Sequence, residues 1–392
     1  MIARSGLVGA LLASVACGAR SDLLVWEPSS GGVDGGQEAT VHGARRSGGD
    51  ASSAGESRRD GAVGDASFDA ATSPGDARDA RDSREAARPD ACPAGPCDAA
   101  TSSVALLLFG GVSDTALLDD TWVWSDGAWS RKLVTGPEAR RGHAMAERSG
   151  HAMLFGGIGS AGAPFGDTWQ WTGSAWALLS TSGPPPRPYG VMAGLGETVV
   201  LFGGEGPLGA PYGDTWVWDG SAWAEKLVSG PSARASAAMA AFDGAVLMSG
   251  GTDASGNPLK DTWRWDGAAW TELAAQGPKE YDDAMVAVGG VVVLSGCYGF
   301  DVIGRRIFNE TETWDGMAWT HLDVDGPSVR QVPAMAATSS VAVLFGGYLE
   351  VGDGGVSGET WIWNAAAWQL STATGPAARG FAAMTAFETT AP

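Results

Sequence analysis

From Val104 onward, short apolar runs alternate with polar turns, and the alternation repeats. A run such as Leu106-Leu107-Leu108-Phe109 ends in a glycine pair, Gly110-Gly111. An acid-Thr-Trp triplet follows, Asp120-Thr121-Trp122, then Trp124, a polar turn and Trp129. Gly136-Pro137 and Arg140 end the unit. The first glycine of each pair falls at Gly110, Gly156, Gly203, Gly250, Gly296 and Gly346, at spacings of 46, 47, 47, 46 and 50. The second Trp precedes the third by five in every copy, and Met145, Met192, Met239, Met285 and Met335 each precede a first glycine by eleven. Constant spacing marks paired strands, and varying length marks loops. Self-similarity at this period means units whose hydrophobic faces are buried only by their neighbours.

Each unit predicts four short strands. Strand A runs from the Arg through the Met, as in Arg140 to Glu147, and strand B is the apolar run into the glycines. Strand C carries Trp-x-Trp, and period-two geometry puts both rings on one face. Stretches such as Asp266-Gly267-Ala268-Ala269 suit a tight hairpin, because Asp-Gly tolerates positive φ. Strand D starts at the third Trp. No apolar stripe of helical period and length appears, so the class is all-β. The first copy lacks strand A, while the last is followed by a surplus one, Arg379-Gly380-Phe381-Ala382-Ala383-Met384. The two ends predict six blades in a closed ring, with the C-terminal strand completing blade 1 and removing the open edges.

The double glycine, the strand C aromatic, the strand D Trp and a period near fifty residues resemble the kelch repeat over roughly residues 101–392. Trp stands where that family usually carries the strand C Tyr. The resemblance implies a six-bladed kelch-type β-propeller. A WD-type propeller fits less well: Trp218-Asp219 and Trp265-Asp266 open a glycine turn, and no Gly-His partner recurs. Galactose oxidase, whose central domain is of the kelch type, needs a copper site with Tyr and His ligands and a Tyr–Cys cross-link. No His pair here matches those ligands, and no cofactor is expected.

The first hundred residues read differently. Residues 1–16 resemble a secretory signal, with Arg4 ahead of an apolar stretch from Leu7 to Val15. Ser14-Val15-Ala16-Cys17 resembles a bacterial lipobox and makes Cys17 the lipidation candidate. Ser14 stands where that family usually has Leu, which leaves ordinary cleavage after Ala16 as the alternative. Residues 17–100 are rich in Gly, Ala, Ser, Asp and Arg, a composition that cannot bury enough apolar surface to offset its ordering entropy, so a disordered tether is expected. Cys92 and Cys97 flank Pro93-Ala94-Gly95-Pro96 and are candidates for a local disulfide, leaving Cys297 a lone thiol. The expected location is outside the cytoplasm, as a lipoprotein in the periplasm or at the cell surface, with a secreted form as the alternative.

The formal net charge of −20 argues against nucleic acid and anionic headgroups as partners. No membrane-spanning stretch exists outside the signal, so membrane contact runs through the N-terminal anchor alone, and a monomer is expected. Seventeen of the eighteen Trp lie in the repeat. Their constant placement in all six units argues for packing between blades, because a ligand would use one site. Acids recur at Asp120, Asp167, Asp214, Asp261, Glu310 and Glu359, and arginines at Arg140, Arg187, Arg234, Arg330 and Arg379, with Tyr281 breaking the series. Strands A and C run the same way, so acid and Arg are placed to pair, with pairing between neighbouring blades one arrangement open to them. His143 and His151 are too few for a metal shell, and Asp253 to Asn257 resembles a calcium loop only until Arg264, where a bidentate Glu belongs. No nucleophile elbow or phosphate loop appears, and no residue is assigned a catalytic role. The reading favours a binding or scaffolding module for a protein or carbohydrate ligand, with a metal-independent carbohydrate-active enzyme as the alternative.

Blade 5 departs from the pattern. It has Tyr281 for Arg, Cys297 for the second glycine, Glu312 for the first Trp and an enlarged B–C loop from Cys297 to Asn309. Local rule-breaking in an otherwise consistent chain points to function. Tyr281, Tyr298, Phe300, Asp301, Arg305, Arg306 and Glu312 are therefore the candidate ligand-binding residues, at the loop face of the ring.

Overall fold

Six clusters of buried side chains hold this fold, and each lies between two neighbouring sheets. The computed structural model describes residues 103–275, 277, 284–296, 299–300, 306–307, 311–349 and 355–389. Residues 1–102, and with them Cys17, Cys92 and Cys97, lie outside the described residues. The described residues form six four-stranded antiparallel sheets, two small two-stranded ladders and a 3-10 turn at Pro207–Gly209. Blade 2 shows the plan: A is Ala144–Arg148, B is His151–Phe155, C is Thr168–Trp171 and D is Trp176–Ser180, paired in that order. The A strands neighbour one another from blade to blade and line the central axis.

The ring closes through blade 1. Its inner strand is the C-terminal Ala383–Thr389, paired along its full length with Ser103–Phe109. Blade 1 thus joins the two ends of the repeat region, and no blade is left without its innermost strand. The chain is an all-β, six-bladed propeller.

Strand B is apolar throughout because both faces of a blade are covered. In blade 1, Leu106 and Leu108 pack toward blade 6, while Leu107 and Phe109 pack toward blade 2. The third Trp of each blade then joins it to the preceding one. Trp176, Trp223, Trp270, Trp319 and Trp368 donate Nε1–H to the hydroxyls of Thr121, Thr168, Thr215, Thr262 and Thr311 at 2.8–3.0 Å. Trp129 completes the circle on Thr360 at 2.9 Å. The strand B phenylalanines Phe109, Phe155, Phe202 and Phe345 meet these indoles at ring separations of 5.3–5.5 Å. Each buried indole removes ~200 Å² from water, about 5 kcal/mol before ordering entropy is subtracted. The repeated Trp are packing residues between blades.

The recurring Arg lies ahead of strand A instead of inside it. In blade 2 the strand starts at Ala144, because left-handed Gly142 (φ 62°) turns the chain first. The ion pairs form within a blade: Arg140–Asp167, Arg187–Asp214, Arg234–Asp261, Arg330–Glu359 and Arg379–Asp120. Strand B separates A from C, so the guanidinium crosses where B ends at a glycine with no side chain, donating to its carbonyl on the way (Arg140 to Gly156 O, 2.9 Å). It is the Arg main chain that reaches the neighbour: Arg140 O accepts from Gly111 N–H of blade 1 at 2.9 Å. That approach demands the glycine pair. A Cβ on Gly110 would sit 2.8 Å from Arg140 O, and both glycines have positive φ.

Candidate binding face at the channel mouth

One end of the ring carries the B–C loops and the Arg turns, and a single position there shapes the channel mouth. Two residues after each recurring Arg the backbone is left-handed: Gly142 (φ 62°), Tyr189 (58°), Ser236 (54°), Val332 (48°) and Phe381 (54°). Four of these five carry a side chain, and a β-branched Val is a costly occupant of that region. A belt of main-chain hydrogen bonds accounts for the conformation. Phe381 N–H donates to Val332 O, Gly142 N–H to Phe381 O, Tyr189 N–H to Gly142 O and Ser236 N–H to Tyr189 O, at 2.7–3.2 Å. The belt runs from blade 6 through blades 1, 2 and 3 to blade 4 and holds this backbone rigid.

The belt displays aromatic side chains. Phe381 of blade 1 lies between Tyr348 of blade 6 and Tyr189 of blade 3, at ring separations of 5.6 and 5.7 Å. Two glycines make room for this arc. A Cβ on Gly142 would lie 2.5 Å from the Tyr189 ring, and one on Gly380 would lie 2.5 Å from the Tyr348 ring. Arg141 places its guanidinium carbon 5.9 Å from the centre of the Phe381 ring. Burial pushes the Tyr348 phenol upward, against the pull of the nearby Arg141. A cavity of about 120 Å³ opens beside the arc, lined by His143, Tyr189, Ser236, Val332, Pro333 and Phe381 among others.

The carboxylates of the ion pairs are fully engaged. Burial alone would raise Asp120, Asp167, Asp214 and Asp261, but the hydrogen bonds and charge of their arginines hold them below the ordinary value. Each also accepts the Nε1–H of the Trp two residues on, at 2.6–2.8 Å. Glu359, more exposed, accepts from Arg330 through a single bond and from Trp361 Nε1 at 3.0 Å. Carboxylates kept ionised in this way are poor proton donors. Glu205, on the B–C loop of blade 3, is pushed the other way by burial. Asp253 is taken up by its own loop, accepting from Ser255 N–H, Asn257 N–H and the Asn257 amide. Among the described residues no three His, Cys, Asp or Glu side chains converge.

Of the blade 5 candidates, Tyr281, Tyr298, Asp301 and Arg305 lie outside the described residues. Phe300 and Arg306 are opposite each other in a two-residue ladder within the B–C segment. Glu312 is buried on strand C, across from His321, with its carboxylate 3.4 Å from Nδ1. The aromatic arc was not among the sequence candidates. A signal for Tyr189 and Phe381 is nonetheless present: the residue two past the Arg, or past Tyr281 in blade 5, is Gly, Tyr, Ser, Asp, Val or Phe, and such variety at a fixed place in a repeat marks a display position.

A closed ring of four-stranded blades with a rigid, variable loop face defines a β-propeller scaffold of the protein-binding kind. The family model of the KLHDC2/KLHL20/DRC7 Kelch-repeats domain matches residues 97–297, and the chain belongs to this kelch-repeat family. No curated protein matches it.

Proposed function

We propose that this chain is an exported, lipid-anchored kelch propeller that captures a protein partner on its channel-mouth face. The observation that carries the reading is the aromatic arc Tyr348–Phe381–Tyr189. Side chains of three blades meet tilted and edge-on, two of them, Tyr189 and Phe381, carried on the strained, hydrogen-bonded belt, with glycines cut away beneath them. Rigid aromatics beside an Arg give large contact area at little entropic cost, the composition of binding hot spots. The blade 5 candidates are expected to extend the contact. Catalysis by the recurring acids is disfavoured, because arginine holds each described one ionised. Cys17 would supply the anchor and residues 17–100 the reach.

The test is a peptide-display selection on the purified chain, with a glycan array run in parallel. Peptides should be recovered that bind the native chain and fail on Tyr189→Ser/Phe381→Ser, while thermal unfolding barely moves. Peptides that bind both forms equally, or enrichment only on glycans, would overturn the protein-capture reading. Labelled palmitate incorporated by the native chain and lost in Cys17→Ser would establish the anchor.

A further inference from the structure

The arc at the channel mouth restricts the form of chain that can dock there. Phe381 meets Tyr348 and Tyr189 at interplanar angles of 64° and 53°, so the rings leave two furrows between them instead of one flat platform. Separations of 5.6 and 5.7 Å bound the distance between the outer ring centres at about 11 Å. The cavity beside the arc, about 120 Å³, is well below the ~300–1,000 Å³ of a small-molecule site and has room for one compact side chain. Two donors stand next to Phe381. Burial keeps the Tyr348 hydroxyl protonated, and among the described residues neither it nor the Arg141 guanidinium makes a hydrogen bond.

Protein chains are recognised in a few recurring ways, and most need something this face does not offer. Strand addition needs a free sheet edge. Here the main chain is already paired: Gly142, Tyr189, Ser236 and Phe381 give their N–H groups to the belt, while Arg141 and Ile158 donate to each other's carbonyls, as do Val112 and Gly380. The same pairing leaves no nest of N–H groups for a chain terminus. A phosphate or acidic motif calls for clustered arginines, and the recurring arginines of the blades meeting here are taken by their acids. An amphipathic helix lays a stripe of long side chains into a continuous groove, which a cavity of about 120 Å³ cannot hold.

A polyproline II chain remains. It has no internal hydrogen bonds, so its carbonyls are open to the Tyr348 hydroxyl and to Arg141. Its proline rings suit furrows between aromatic side chains, and at ~3.1 Å per residue about four residues cover the arc. Uncharged, it meets no repulsion from a chain of net charge −20. Proline preforms the peptide and the belt preforms the arc, so little ordering entropy opposes binding.

We infer that the arc Tyr348–Phe381–Tyr189 takes a proline-rich segment of the partner in polyproline II form, with proline rings in the two furrows and peptide carbonyls on Tyr348 and Arg141. The inference rests on protein capture at this face and narrows the partner to one chemistry.

The probe is a fluorescein-labelled oligoproline of about eight residues, titrated into the full chain and read by fluorescence anisotropy. Peptides of equal length made of Gly-Ser, alternating Val-Thr and Asp-Glu run beside it. Oligoproline should bind at least about tenfold more tightly than any of the three. Phe381→Leu keeps apolar bulk but removes the ring, and should weaken binding about tenfold; Tyr348→Phe removes one donor and should weaken it about threefold. Met317→Ser, at an exposed position in a C–D hairpin, should change nothing. Peptides recovered by display should carry prolines two or three residues apart. Oligoproline binding no better than Gly-Ser, Asp-Glu binding more tightly, equal binding to native and Phe381→Leu chains, or display peptides without proline enrichment would each overturn the inference. Protein capture survives those results where the recovered peptides still fail on Tyr189→Ser/Phe381→Ser, and falls with the inference where they do not. Unchanged thermal unfolding marks the losses as local; should Phe381→Leu unfold early, Tyr189→Leu carries the same test.

Discussion

Asp214→Asn should show what the Arg–acid pairs contribute. The Arg187 side chain is fully buried and Asp214 retains 19% exposure. The carboxylate accepts from both terminal nitrogens of Arg187, at 2.5 and 2.8 Å, and from Trp216 Nε1 at 2.8 Å. An amide has one acceptor oxygen for these three donors and turns an NH₂ toward a guanidinium. Removing one partner of a buried pair costs ~3–5 kcal/mol, and partial exposure of Asp214 places the expected loss near the lower bound, about 3 kcal/mol. Glu359→Gln is the internal control. That side chain is 43% exposed and meets Arg330 through one 2.7 Å bond, so about 1 kcal/mol is expected. Urea unfolding at pH 7 should shift the midpoint in that order without changing the slope. The folded-state value of Asp214 is depressed, so its contribution is complete above the ordinary carboxylate value of 3.8 and is lost as pH falls through the lower folded value. The native and Asp214→Asn chains should accordingly converge in acid. Equal losses for the two substitutions, or a difference undiminished by acid, would refute the argument.

Thr360→Val leaves the Trp129 indole N–H buried without an acceptor and should cost about 1–3 kcal/mol, matching Thr121→Val at a non-closing interface, as read by the same urea titration. Val332→Gly relieves a left-handed β-branched residue and should be neutral or stabilising by up to about 1 kcal/mol; a clear loss in Tm would mean that φ 48° stores no strain there. Deleting residues 379–392 strips blade 1 of its inner strand and Asp120 of its arginine, so thermal denaturation should lose its cooperative transition and gel filtration should show aggregation. Limited proteolysis should cut throughout residues 17–100 and leave a resistant fragment beginning near residue 101, identified by mass; protection beginning well before residue 90 would contradict the tether.

The repeat alone determined the blade count, the order of strands within a blade and closure by the last strand, because burial of a short unit against copies of itself demands fixed spacing. Trp at constant spacing could be read as packing for the same reason, and each third Trp does bond the preceding blade. The direction of the ion pairs could not be read from one dimension. Arg and acid recur with equal regularity whether they pair within a blade or across, and the choice rests on the side-chain gap that the first glycine leaves at the end of strand B. The aromatic arc was further from reach. Tyr189, Phe381 and Tyr348 lie in three different blades, and only the curvature of the ring and the bare backbone at Gly142 and Gly380 bring their rings together. His143 likewise reads as a lone histidine in the sequence. Its ring meets Phe109 of blade 1 only when neighbouring blades close on one another, since that contact is a property of the closed ring and of no single repeat.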